Sequence, residues 1–146
     1  MIIVAGLWEN GWLNSNVEYQ QYKHVMKAYG VDKFLMAPIE VVKQDDSFPV
    51  EQHDTMEEIL ESFGNIKKCF LEWSQDFEDN GIPHVDLKDY EHPKDVMYVL
   101  GKSGTNNCYL MTEDDDAVSI VAPNNDYSLW GVTVIGIVLY DRMMKS

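Results

Sequence analysis

Few residues of this chain are spaced for chemistry, and their arrangement excludes more than it suggests. Cys69 and Cys108 stand alone, with no Cys-x-x-Cys spacing and no histidine at metal-ligand distance, so neither a disulfide framework nor a metal site is expected. No Gly-x-Ser-x-Gly elbow, P-loop or Gly-x-Gly-x-x-Gly pattern occurs. Two features remain. The run Gly101-Lys102-Ser103-Gly104 offers glycines where a ligand could approach the main chain closely, or where the chain simply turns. His24, with Lys23 beside it, offers an imidazole, a group that takes up a hydroxyl proton near neutral pH but that on a helix surface without a partner does no chemistry.

Charge narrows the partners. The chain carries 25 acidic against 11 basic residues, a net charge of −14, and only one of the basic residues is an arginine, Arg142. Phosphate backbones are bound through a basic face that releases counterions, so RNA or DNA is disfavoured here unless a partner supplies that face or Lys23, Lys27 and Lys33 form a local patch. The acids gather in two groups, Asp45 to Glu61 and Glu113-Asp114-Asp115-Asp116, which read as solvated surface.

Those residues must be positioned by ordinary elements of one domain, since 146 residues with 45% hydrophobic content suffice for a single core. Strands are expected at Met1–Leu7, Lys33–Ile39, Lys68–Trp73, Val96–Gly101 and Ala117–Ala122. A helix is expected from Glu18 to Tyr29, stopped by Gly30, and a second one opens with the capping box Thr55-x-x-Glu58. Strands alternating with helices predict an α/β sheet. Ser128–Met144 is ambiguous, long for a strand yet rich in β-branched residues at Val132-Thr133-Val134-Ile135. The longest apolar run, Val132–Tyr140, is too short for a membrane span, and no leader pattern surrounds the N-terminal apolar residues; a cytoplasmic protein with no membrane contact is the expectation.

A family resemblance enters through the last third. Val118-Ser119-Ile120-Val121, followed by Tyr127-Ser128-Leu129-Trp130-Gly131-Val132 and Gly136-Ile137-Val138-Leu139-Tyr140-Asp141, resembles the closing motif of the SpoU/TrmH branch of SPOUT methyltransferases. Val96-Met97-Tyr98-Val99-Leu100-Gly101-Lys102-Ser103-Gly104 is similar to the family's preceding strand and loop, Phe70-Leu71-Glu72 to its middle strand, and Tyr29-Gly30-Val31 to the end of its first helix. The resemblance implies a mostly parallel sheet flanked by helices, knotted as a trefoil, with Ser128–Met144 as one helix and Ser128 at or near its N-cap. It implies S-adenosylmethionine bound by three loops, at Leu100, Gly101 and Lys102, at Ile120 and Ala122, and at Ser128 and Leu129. These should converge at the C-terminal ends of the strands, where ligands of open α/β sheets gather. It also implies a homodimer through the C-terminal helix, whose Trp130, Val134, Ile135, Val138, Leu139 and Met143 place apolar side chains on more than one face.

The chain departs from that family where ribose methylation needs polar groups. His24 stands at the position of the family's Arg, Ser103 at that of its Glu, and Trp130 and Val132 at those of its Asn and Ser. Three readings follow: a methyltransferase with altered catalytic residues, a protein that binds the cofactor without transferring its methyl, and an interaction module that keeps only the fold.

Overall fold

A computed structural model of the protein describes residues 1–7, 15–38, 47–101, 105–124 and 128–146. Its strands are β1 (Ile2–Leu7), β2 (Lys33–Ala37), β3 (Val50–Gln52), β4 (Lys67–Leu71), β5 (Val85–Asp86), β6 (Val96–Leu100) and β7 (Asp116–Ser119), and its helices α1 (Ser15–Ala28), α2 (Met56–Ser62), α3 (Ser74–Asp79) and α4 (Gly131–Lys145). The strands form one sheet in the order β3-β2-β1-β6-β4-β7-β5, every neighbouring pair parallel. The α/β expectation holds, with a sheet that is wholly parallel.

Successive side chains of a strand point to opposite faces, and both faces here are covered, as parallel sheets require. Val4, Met36, Cys69 and Tyr98 pack with Tyr19, Tyr22 and Met26 of α1 and with Ile135, Val138 and Leu139 of α4. Ile3, Leu35, Phe70 and Val99 turn the other way, onto Met56 and Ile59 of α2 and Phe77 of α3. The result is three layers, with α1 and α4 on one side of the sheet and α2 and α3 on the other.

Local chemistry sets the boundaries. α1 closes where Gly30 adopts φ +72°, with its N–H on the Lys27 carbonyl and the Val31 N–H reaching back to Met26, the paired bonds of a left-handed helix stop. α2 opens with Thr55 as its N-cap, whose Oγ1 accepts from the Glu58 N–H at 3.2 Å, while the Glu58 carboxylate reaches one residue further back than a standard capping box, to accept from the Asp54 N–H at 3.3 Å. β2 ends at Ala37, ahead of Pro38, which has no N–H to give a ladder; Ile39 lies outside the described residues. β1 ends at Leu7 as expected, whereas β4, β6 and β7 end two, one and three residues before their expected limits, because the chain leaves the ladder to form loops at the C-terminal edge.

α4 resolves the ambiguous segment as a helix. Burying Ile135, Val138 and Leu139, spaced for one face, is worth about 1.5–3 kcal/mol each, against at most ~0.7 kcal/mol lost per β-branched residue, so packing decides. The helix starts later than expected: its N-cap is Trp130, without a side-chain cap, and Ser128 lies two residues upstream in the lead-in. The far end is pinned by a polar network. The Arg142 guanidinium donates to the Pro93 carbonyl (2.7 Å) and the Tyr98 hydroxyl (3.1 Å), His92 bridges Tyr98 (2.6 Å) and Asp141 (2.7 Å), and Lys145 donates to the Leu87 and Tyr90 carbonyls. The one arginine is thus a fastening of α4 to the start of β6. The implied threading of the C-terminal segment depends on residues 102–104 and 125–127, outside the described residues.

Candidate functional site

The C-terminal ends of three adjacent strands, β6, β4 and β7, open onto one cleft of about 630 Å³, counting the space open to solvent. Leu100 and Gly101 follow β6, Ile120 follows β7, and Ser128 and Leu129 come from the lead-in to α4; all five line the cleft. Residues that stand far apart in sequence therefore meet at the crevice of the sheet. Ala122, half-buried on the loop after β7, is not among the lining residues, and Lys102 lies outside the described residues.

Gly101 leaves little room for a side chain. A Cβ there would come to 3.1 Å from the Thr105 carbonyl oxygen and to 3.2 and 3.3 Å from the two carboxyl oxygens of Glu72. With no side chain, Gly101 lets the main chain after β6 line the cleft, which suits a ligand read through backbone groups. Leu71, Val118 and Val134 add apolar wall.

The wall also carries two carboxyl groups that the sequence reading did not single out as site residues. Glu72 follows β4 directly and Asp76 lies in the first turn of α3, and both line the cleft. The Glu72 Oε1 accepts from the main-chain N–H of Asn107 at 3.0 Å, and the Asn107 side-chain amide donates to the Leu100 carbonyl at 3.0 Å. Asn107, fully buried, thus ties the end of β4 to the end of β6. Burial pushes the Glu72 carboxyl up to about 8, the Asn107 N–H opposes the rise, and the Asp76 charge adds to it. Asp76 is itself raised, by burial and then by Asp79. Burial thus favours the protonated form of Glu72, a form able to donate. The available signal was positional: a glutamate immediately after the buried C-terminal half of a strand in a parallel sheet stands at the ligand-bearing edge.

No sulfur nucleophile competes for this site. The Cys108 thiol is pushed up to about 12, mainly by burial, and that of Cys69 is driven well above its ordinary range for the same reason. No group of three or more metal-binding side chains occurs among the described residues.

His24 is exposed on α1 and does not line the cleft. Lys23 is 6% exposed over the Tyr19 ring in the α1 layer, whereas Lys33 pairs with Glu51 at 2.5 Å and lies over the Phe63 ring on the opposite layer. No helix among the described residues is long and apolar enough to cross a membrane.

No protein-family model matches the sequence, and no curated protein matches it by sequence. Solved structures do match in shape. The TrmH/SpoU tRNA modifying enzyme of A. aeolicus superposes with a TM-score of 0.75 at 16% identity, over 99% of this chain and 74% of that one. The SpoU methyltransferase AviRb of Streptomyces viridochromogenes, in complex with AdoMet, gives 0.74 at 12% identity, over 99% of this chain and 57% of that one. The AdoMet-bound rRNA methyltransferase of Sinorhizobium meliloti gives 0.71 at 11%, over 99% and 56%. The present chain spans little more than half the length of the latter two. Its fold is SPOUT-like, and its sequence is far from theirs.

Proposed function

We propose that this chain binds S-adenosylmethionine in the cleft above β6, β4 and β7. The observation that carries the reading is the meeting of Leu100, Gly101, Ile120, Ser128 and Leu129, from three separate loops, around one opening, in a fold shared with proteins solved with AdoMet bound. The residues present fit such a ligand. Leu100, Ile120 and Leu129 offer apolar contact for an adenine ring, the bare main chain at Gly101 offers hydrogen bonds, and Glu72 and Asp76 offer partners for hydroxyl or amino groups. Bound S-adenosylmethionine would supply an activated methyl group, and the chain's own contribution would be to hold and orient it.

Methyl transfer to an RNA ribose is the weaker part of the resemblance. His24 does not line the cleft, and where the family has Asn and Ser this chain has Trp130, with only an indole N–H to donate, and Val132, with no polar group. These facts favour the second reading, a binding module that holds the cofactor without transferring its methyl, over an RNA methyltransferase. Equilibrium dialysis with labelled S-adenosylmethionine tests the binding claim, and incubation with bulk cellular RNA then separates the two: label transferred to RNA supports the enzyme, and label that stays with unreacted cofactor supports the module.

We infer further that the chain pairs with a second copy through α4. Ile137, Tyr140, Met143 and Met144 are exposed at 38–65%, a run of apolar surface along a helix whose other face is buried. Val138 does not belong to that surface, since it is fully buried in its own core.

A further inference from the structure

We propose that Glu72 is the residue by which this cleft distinguishes a cationic adenosyl ligand from a neutral one. The inference rests on the adenosyl reading of the cleft and goes beyond it, to how the ligand's charge is sensed. Glu72 stands on the cleft wall at the end of β4, beside the main chain of Gly101, with Oε1 engaged by the Asn107 N–H. Its immediate titratable neighbours are the Asp76 carboxyl on α3 and the Cys108 thiol on the turn after Asn107. No lysine or arginine among the described residues lines the cleft, so no fixed cation there neutralises this pair.

Physical consequences follow from that arrangement. A carboxyl held protonated by burial and by a neighbouring anion is a charge in reserve. A ligand that brings a positive charge close to it favours the ionised form, so binding releases a proton, and by reciprocity ionisation of Glu72 tightens binding of the cation. A sulfonium ligand such as S-adenosylmethionine would draw on this reserve; its thioether product, S-adenosylhomocysteine, would not. Product carrying no sulfonium is then held less firmly than the charged cofactor once Glu72 is ionised, and the discrimination grows as pH rises through about 8.

The experiment is a calorimetric titration of the full chain with each of the two ligands at pH 6.5 and 9, repeated with Glu72→Gln. In the wild type the affinity ratio of S-adenosylmethionine to S-adenosylhomocysteine should rise about tenfold over this span, the effect of a one-unit shift from an opposite charge nearby. In Glu72→Gln it should change less, and comparison of the two proteins cancels titration of the ligands' own groups. Asp76→Asn supplies an independent readout: with that anion removed, the rise should begin at lower pH. Equal ratios in wild type and Glu72→Gln, or an unchanged profile in Asp76→Asn, would overturn the assignment while leaving the binding site intact. Failure of both ligands to bind at either pH would overturn the adenosyl reading together with it.

Discussion

The hydroxyl of Tyr22 lies where a side chain on Gly131 would begin. A Cβ at that glycine would approach Tyr22 Oη more closely than real Cβ atoms do, and it would also stand 3.8 Å from the Gly101 carbonyl. The first residue of α4, the middle of α1 and the loop after β6 therefore meet at one point, beside the cleft that Gly101 and Gly131 line.

Gly131→Ala should consequently destabilise the fold by about 1–3 kcal/mol, the usual cost of forcing volume into a packed site. Urea unfolding would measure it. Tyr22→Phe added to Gly131→Ala should recover part of the loss, because the atom that collides is the hydroxyl oxygen, and the ring carbon behind it would stand 3.4 Å away, at ordinary contact.

Much of this architecture was legible in the residues, for identifiable reasons. Gly30 and the Thr55/Glu58 box mark helix ends through backbone chemistry that tertiary structure rarely overrides, and continuous apolar strands such as Val96–Leu100 announce burial on both faces. The elements that escaped are short. β3 and β5 have three and two residues, too few to show a period, and the six residues of α3 bury a single large side chain, Phe77. In α4 the local preference pointed toward strand and burial overruled it, so the family motif succeeded where periodicity could not. The site divided along similar lines. Gly101, Ile120, Ser128 and Leu129, which line one cleft, were singled out through the motif, whereas Glu72 and Asp76 on the same wall were passed over because carboxyls in an acidic chain look like surface until a fold places them in a cleft.

Glu72 makes a testable contribution to stability. Its carboxyl is raised in the folded state from an ordinary value of 4.5 to about 8, so the folded protein holds a proton that the unfolded chain has released. The associated stability is fully present below about 4.5 and is lost as pH rises through about 8. Thermal melts should show Glu72→Gln gaining on the wild type between pH 5 and pH 9; a constant difference across that range would refute the buried-acid account.

The opposite sign holds for His92. Burial lowers this imidazole below its ordinary range, more than its hydrogen bond to Asp141 raises it. Between the two values the unfolded chain binds more protons, so the contribution of His92 is present at neutral pH and is lost as pH falls through the ordinary histidine range. Burial also opposes ionisation of Asp141, but its bonds to Lys145 and His92 outweigh that and lower it on balance, which adds a further loss at more acidic pH. The stability gap between wild type and His92→Gln should narrow from pH 7.5 to 5.5, as read from urea midpoints.

Dimerisation through α4 is tested at Tyr140, 52% exposed, in place of the buried Val138, where a glutamate would simply unfold the core. Light scattering should give twice 16.8 kDa for the wild type and a lower mass for Tyr140→Glu. A wild-type mass of 16.8 kDa would sink the dimer.

The central claim is that the cleft is built for an adenosyl ligand, and titration of the folded chain with S-adenosylmethionine at neutral pH tests it most directly. Saturable heat with one site per chain is expected, and it should be abolished or weakened more than tenfold by Leu129→Lys, which sets a bulky cation at the cleft mouth without disturbing the core, since Leu129 is 42% exposed. No heat at millimolar ligand from a sample shown to be folded, or binding that Leu129→Lys leaves unchanged, would contradict it.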